Sequence, residues 1–245
     1  MSGGGFDAVW PVAAEAEGWL TRAQAERLWR AAATMRQGGR LVEIGSFRGR
    51  SAIVLASAAP EGSAVVCIDP HLGSDRGPQE LRPDHALGED DLAAFRANLA
   101  RAGVADLVHH VRERSEAAHG AVSGAIDVLF VDGAHRYGPA RADLRDWGAK
   151  VAPGGRLLVH DAFSSVGVTA ALLRTVVFAR GWRYAGRDGS LAEWVRAPRR
   201  GPGQVAEQLL QLGWFARNLA VKALILARLR PAARLLGHRD GPWPY

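Results

Sequence analysis

Two pairs of residues are best equipped to do chemistry: Asp132 with His135, and His160 with Asp161. An imidazole titrates near neutral pH and suits a general base, so His135 and His160 are the candidates for moving a proton. Asp132 and Asp161 end neighbouring apolar runs, and as the tips of adjacent parallel strands they could hold one Mg²⁺, whose charge would lower the pKa of a bound hydroxyl. A third acid, Glu43, runs into a glycine turn, Gly45 to Gly49, in the stretch LVEIGSFRGRS, and a fourth, Asp69, closes the next apolar run. Gly45 permits a tight strand-to-helix turn. Gly49 lets the helix start lie close to the strand, with free N–H groups facing a ligand above the sheet edge. Asp69 stands about where a doubly wound fold sets a carboxylate on a ribose.

The spacing of that turn separates two cofactor types. A dinucleotide site wants Gly-x-Gly-x-x-Gly, its middle glycine letting the backbone approach a pyrophosphate. Phe47 occupies that middle position. S-adenosylmethionine (SAM) has no pyrophosphate, so Glu43 and Gly45 to Gly49 favour SAM over a nicotinamide or flavin.

These residues need elements to hold them. Residues 1–20 read as a glycine-rich leader with Trp10-Pro11 packing on the domain, followed by a helix that Thr21 caps and Gly38-Gly39 stops. Strands are expected at Leu41–Ile44, Ala64–Ile68, Leu107–Val111, Ile126–Val131 and Arg156–His160. Helices are expected at Ser51–Ala58, Asp90–Ala102, Ser115–Ala121, Gly138–Val151 and Val166–Ala179. Two short strands near Trp182–Gly186 and Leu191–Val195 close the alternation. Five strand-helix units and a terminal hairpin argue an α/β, doubly wound sheet. The aperiodic stretch His71–Gly88 leaves the carboxyl end of the second strand and reads as a mobile loop over the acceptor pocket.

Composition bounds the rest. A chain of 245 residues, 48% hydrophobic, holds one large domain plus an appendage. The single cysteine, Cys67, lies in a predicted strand and reads as a buried thiol. The start has no basic segment leading into an apolar one, and no stretch reaches the ~18 uninterrupted apolar residues of a spanning helix, so a cytoplasmic protein is expected. The net charge is +6, with 23 basic and 23 acidic residues in 1–196 but 8 and 2 in 197–245. A basic tail on a neutral globule does not predict nucleic-acid binding.

With the run DVLFVDGAHRYGPARADLRDWGAKVAPGGRLLVHDAF added to EIG and GRS, the chain resembles the class I SAM-dependent methyltransferases, and within them small-molecule O-methyltransferases such as those acting on catechols and macrolide sugars. The resemblance spans about 38–196, between an N-terminal leader and helix (1–37) and a basic helical tail (197–245). It implies a Rossmann-like seven-stranded sheet, six strands parallel and the last antiparallel. By position it also implies that Glu43, Gly45, Ser46 and Gly49 line the methionine and ribose of SAM, that Asp69 takes the ribose hydroxyls, and that Ser115 and Glu116 lie by the adenine. Many members carry an acid just before that serine, where this chain has Arg114. The histidine of DGxH, His135, resembles the base of the macrolide-sugar enzymes, while His160 orients the neighbouring Asp161. Metal-dependent relatives have a third oxygen ligand beside Asp161, where this chain has His160 and Ala162. Without a metal, Asp132 is expected to position His135 or the substrate.

The expected activity is methyl transfer from SAM to a hydroxyl of a small molecule, of the sugar-containing or other secondary-metabolite kind. The alternative is a catalytically weak or inactive methyltransferase-fold module that docks through its tail. That tail reads as a long helix, Gln204–Leu229, with Glu207, Gln211, Asn218 and Lys222 in one polar stripe. The sequence leaves open whether 204–236 lies on an anionic membrane, pairs with a second subunit, or folds back on its own domain.

Overall fold

A computed structural model describes residues 5–74, 82–198, 201 and 203–238. Seven strands form one sheet: β1 (Arg40–Ile44), β2 (Ala64–Ile68), β3 (Val108–Val111), β4 (Ile126–Val131), β5 (Val151–Val159), β6 (Trp182–Asp188) and β7 (Leu191–Arg196). Their order is β3-β2-β1-β4-β5-β7-β6, with parallel pairs from β3 through β5 and β7 antiparallel to both its neighbours. Six parallel strands and one antiparallel strand are the expected sheet. The order reverses at β1, so β1 and β4 part at their carboxyl ends, which is where open α/β sheets leave a crevice.

Helices cover both faces because the parallel strands are apolar on both. Val42, Ile44, Leu129, Leu157 and Trp147 belong to one core, beneath α5 (Tyr137–Ala149) and α6 (Val166–Leu172). Leu41, Val65, Phe130 and Leu158 belong to the other, beneath α1 (Phe6–Glu15), α2 (Arg22–Ala33), α3 (Arg50–Ala58) and α4 (His85–Arg101). The expected cap of α2 is present: Thr21 accepts from the Gln24 N–H while the Gln24 side chain accepts from the Thr21 N–H.

Several sequence expectations are corrected. The leader is helical from Phe6, with Pro11 inside the helix, because Phe6 and Trp10 pack against α2 through Trp29 and burial of Ala13 outweighs the proline. Residues 1–4 lie outside the described residues. Helix α4 starts at His85, five residues early, because Asp84 caps it by accepting from the Leu87 N–H at 3.1 Å. The expected loop over the pocket therefore ends at Asp84, and its residues 75–81 lie outside the described residues. Only Ala118–Ala121 of the expected helix after β3 is helical, and as a 3-10 turn. Pro153-Gly154-Gly155 lies within β5, at a register shift against β4.

The tail helix α7 (Gly203–Leu226) and a short α8 (Arg230–Leu235) fold back on the domain. The Trp194 indole donates to Gln208 Oε1 at 2.8 Å, Arg187 donates to Gln211 Oε1 at 2.7 Å, and Val221 is buried. Gln211, Asn218 and Lys222 of the polar stripe thus face the protein, while Glu207 is exposed. By length and composition alone α7 is also apolar enough to cross a membrane, although Glu207, Arg217 and Lys222 interrupt its apolar run. The proline-rich end, 241–245, lies outside the described residues.

Candidate active site

The five parallel strand ends open into one cleft of about 790 Å³, in the size range of small-ligand sites. Its wall is built from the turn after β1 (Gly45 to Phe47), the segment after β2 (Asp69 to Ser74), Arg114 to Glu116 after β3, Asp132 to Arg136 after β4, and His160 and Asp161 after β5. Trp19 and Leu20, ahead of α2, and Leu219 and Lys222 of α7 complete it.

On the β1 side, Gly45 has a φ of 84°, and a Cβ there would stand 2.2 Å from the Asp132 carbonyl oxygen, so only glycine lets β1 and β4 part this closely. Four of the five N–H groups of the turn Gly45 to Gly49 are engaged within the protein. Ser46 and Phe47 both donate to Asp69 Oδ2, at 2.9 and 2.8 Å, while Gly45 donates to the Ile68 carbonyl and Gly49 to the Ser46 carbonyl. Asp69 is therefore a brace for the turn as well as a cleft residue, and its other oxygen accepts from the His71 N–H at 2.8 Å. The reason is local: β1 and β2 pair in register up to Ile44 and Ile68, which sets the acid directly beside the turn.

Two residues expected to line the cofactor stand behind the wall. Glu43 is fully buried, accepting from the Cys67 thiol at 3.1 Å, and burial raises its carboxyl to about 7. Gly49 packs against Phe95, whose ring would stand 3.1 Å from an added Cβ. Gly45, Ser46, Asp69, Ser115 and Glu116 do reach the cleft. The Ser115 hydroxyl donates to Asp143, a cleft residue that sequence reading missed. Burial raises the Asp143 carboxyl to about 6. Its only sequence signal was an acid on the otherwise apolar side of α5.

Across the cleft, the Asp–His pairs cross over. His135 Nε2 lies 2.8 Å from Asp161 Oδ2, and His160 Nδ1 lies 3.2 Å from Asp132 Oδ1. The expectation that Asp132 positions His135 is thus corrected: each acid holds the histidine of the other strand. Adjacent parallel β4 and β5, in register at Val131 and Val159, bring residues just past the two ends side by side. Burial by itself would lower both imidazoles, but the carboxylates outweigh it: His160 is raised to about 9, and His135 is raised above its ordinary value. Burial would raise Asp161, yet the bond from His135 and the charge of His160 pull it down to about 2. The contact with Asp132 thus favours the charged form of His160.

The donor set does not suit Mg²⁺. That ion wants six oxygen ligands in near-ideal octahedral geometry. Asp132 and Asp161 are each engaged by an imidazole, and among the described residues no group of three or more His, Cys, Asp or Glu side chains could hold an ion. The His160 ring stands between the two carboxylates instead, its Nδ1 3.2 Å from Asp132 Oδ1 and 3.9 Å from Asp161 Oδ1. A polar cofactor does fit the opposite wall, where Ser46 lines the cleft and its buried Oγ has no hydrogen-bond partner.

Backbone strain collects at the same place. Phe47, His71, Asp161 and Phe163 all have φ between 44° and 57°, uncommon for residues with a side chain. Phe163 and Ser164, just past Asp161, are held from the tail: Asn218 Nδ2 donates to the Phe163 carbonyl at 3.2 Å, and Lys222 Nζ to the Ser164 carbonyl at 3.1 Å. Lys222 also faces Asp161, and burial lowers its pKa. These two contacts were invisible in sequence, because the tail lies some sixty residues beyond the loop it clamps.

Residues 42–162 match the family model of the methyltransferase domain. Among solved structures of the same fold, the O-methyltransferase NovP is 19% identical, with a TM-score of 0.57 over 74% of this chain and 83% of NovP. The O-methyltransferase TomG from Streptomyces achromogenes, in complex with SAM, is 18% identical, with a TM-score of 0.51 over 78% of this chain and 86% of TomG. An O-methyltransferase from Bacillus cereus, in complex with S-adenosylhomocysteine, is 16% identical, with a TM-score of 0.53 over 78% and 88% of the two chains. The family match makes 42–162 a methyltransferase domain, and the solved structures share its seven-stranded fold.

Proposed function

We propose that the chain transfers a methyl group from SAM to a hydroxyl of a small molecule, with His135 as general base. The observation that carries this reading is the His135–Asp161 contact at 2.8 Å, opening on the same cleft as the glycine turn. The bound cofactor supplies an electrophilic methyl on a sulfonium. The protein must align an acceptor oxygen with it and take up the acceptor's proton.

Gly45, Ser46 and Asp69 bind at one wall, with Ser115 and Glu116 toward the adenine end and Glu43 supporting the turn from behind. With Nε2–H given to Asp161, Nδ1 of His135 receives the acceptor proton, and the Asp161 carboxylate stabilises the imidazolium that forms. His160 and Asp132 position this pair and act as its charge balance. Lys222 and Arg136 face the acceptor side and favour an acceptor rich in oxygen, such as a sugar-containing or phenolic secondary metabolite.

The test is calorimetric titration with S-adenosylhomocysteine, followed by release of that product from SAM with a panel of sugar and catechol acceptors. Binding together with acceptor-dependent turnover that His135→Ala abolishes supports the reading. Failure to bind S-adenosylhomocysteine overturns it.

A further inference from the structure

Helix α7 is apolar on both faces: Leu212, Trp214 and Phe215 pack on the core and Val221 is buried, yet large apolar residues also face outward. Its polar Gln208 and Asn218 are 1% and 0% exposed, whereas Leu210 and Leu226 are 76% and 75% exposed. The outward positions between them are almost all small or apolar: Gly213, Ala216, Ala220 and Ala223 are exposed as well. The pattern continues past the helix end, where Leu229 and Leu235 are exposed beside the exposed Arg228 and Arg234. Arg217 Nε donates to the Leu236 carbonyl at 2.9 Å and holds α8 back on α7. From Gln208 to His238 the chain has no Asp or Glu, against Arg217, Lys222, Arg228, Arg230 and Arg234.

We propose that the outer face of α7 and α8 is a docking surface for an anionic lipid bilayer. Exposed leucines beside arginines are the composition of a helix lying in the headgroup region, where leucines enter the acyl boundary and arginines meet lipid phosphates. Charge decides between this occupant and a second copy of the chain. A copy would bring its own arginines to a face whose acid, the exposed Glu207, stands at the far end of α7 from Arg228 and Arg234, and like charges across an interface are costly. The helix lies on the bilayer and does not cross it, because Asn218 and Lys222 tie it to the 163–164 backbone. The proposal is independent of the methyl acceptor.

The test uses the full-length protein in co-sedimentation with phosphatidylcholine vesicles, with and without phosphatidylglycerol, at low and high salt. The protein is expected to partition onto the anionic vesicles only and to be released by salt, with binding falling about fivefold for each of Arg228→Gln and Arg234→Gln. Leu226→Gln with Leu235→Gln is expected to abolish binding. Both sets of substitutions are exposed and outside the cleft, so an unchanged thermal shift with S-adenosylhomocysteine shows that the fold is kept. Three results overturn the proposal: no sedimentation with either vesicle, sedimentation indifferent to phosphatidylglycerol, or a dimer in light scattering that the leucine substitutions dissolve.

Discussion

At the scale of single residues, His135 and Asp161 make the sharpest claims. The imidazole must be neutral to accept a proton, and its pKa is raised, so turnover is expected to climb with pH through a limb lying above 6.5. Asp161→Asn removes the charge that raises it. The limb should then move to lower pH while kcat falls, a shift that a merely structural loss would not produce. His135→Ala should lower kcat about 100-fold or more, with S-adenosylhomocysteine affinity unchanged by calorimetry. Glu43 gives a stability prediction of opposite kind. Its folded pKa, about 7, lies above the unfolded 4.5, so the fold favours the neutral acid, and ionisation costs stability as pH rises through that window. Glu43→Gln should therefore leave the melting temperature of the free protein alone below about pH 4.5 and raise it increasingly toward pH 7. A difference that shrank over this range would refute the assignment. The identities of these residues were legible from their positions at strand ends. Their pairing was not, because which carboxylate meets which imidazole depends on the register of β4 and β5.

At the scale of elements, α7 is part of the active site although it lies beyond the matched domain. Asn218 is fully buried and supplies the donor for the Phe163 carbonyl, in a loop whose neighbouring Asp161 already has a left-handed backbone. Asn218→Ala leaves that carbonyl unpaired and is expected to cost about 1–3 kcal/mol in urea denaturation. Because the loop carries Asp161, kcat should fall while cofactor affinity holds. If both stay at the wild-type level, the clamp has no bearing on the site. Helical periodicity made α7 and its polar stripe readable. It could not say that Gln211, Asn218 and Lys222 of that stripe face inward, since amphipathicity identifies two faces and only packing decides which is covered. The same limit hid α1, where Pro11 reads as a breaker until its aromatic contacts with α2 are seen.

At the scale of the whole molecule, the cleft joins segments from residue 17 to residue 222, so cofactor binding should stabilise the fold globally. Saturation with S-adenosylhomocysteine about 100-fold above its Kd adds ~2.7 kcal/mol. For a chain of this size that is a rise of about 5–10 °C in melting temperature by scanning calorimetry. No rise would mean that the cleft does not bind this ligand. By itself the sequence determined the sheet, the glycine turn, and the strand-end acids and histidines, because these follow from short-range facts: an apolar run, a residue that tolerates positive φ, a motif in fixed spacing. Only the tertiary structure decided that Asp69 braces the turn, that the two Asp–His pairs cross, that an imidazole stands between the carboxylates expected to share a metal, and that the tail closes the cleft. Each of those is a contact between residues distant in the chain, and its geometry is set by strand register and helix packing, which composition and spacing do not encode locally.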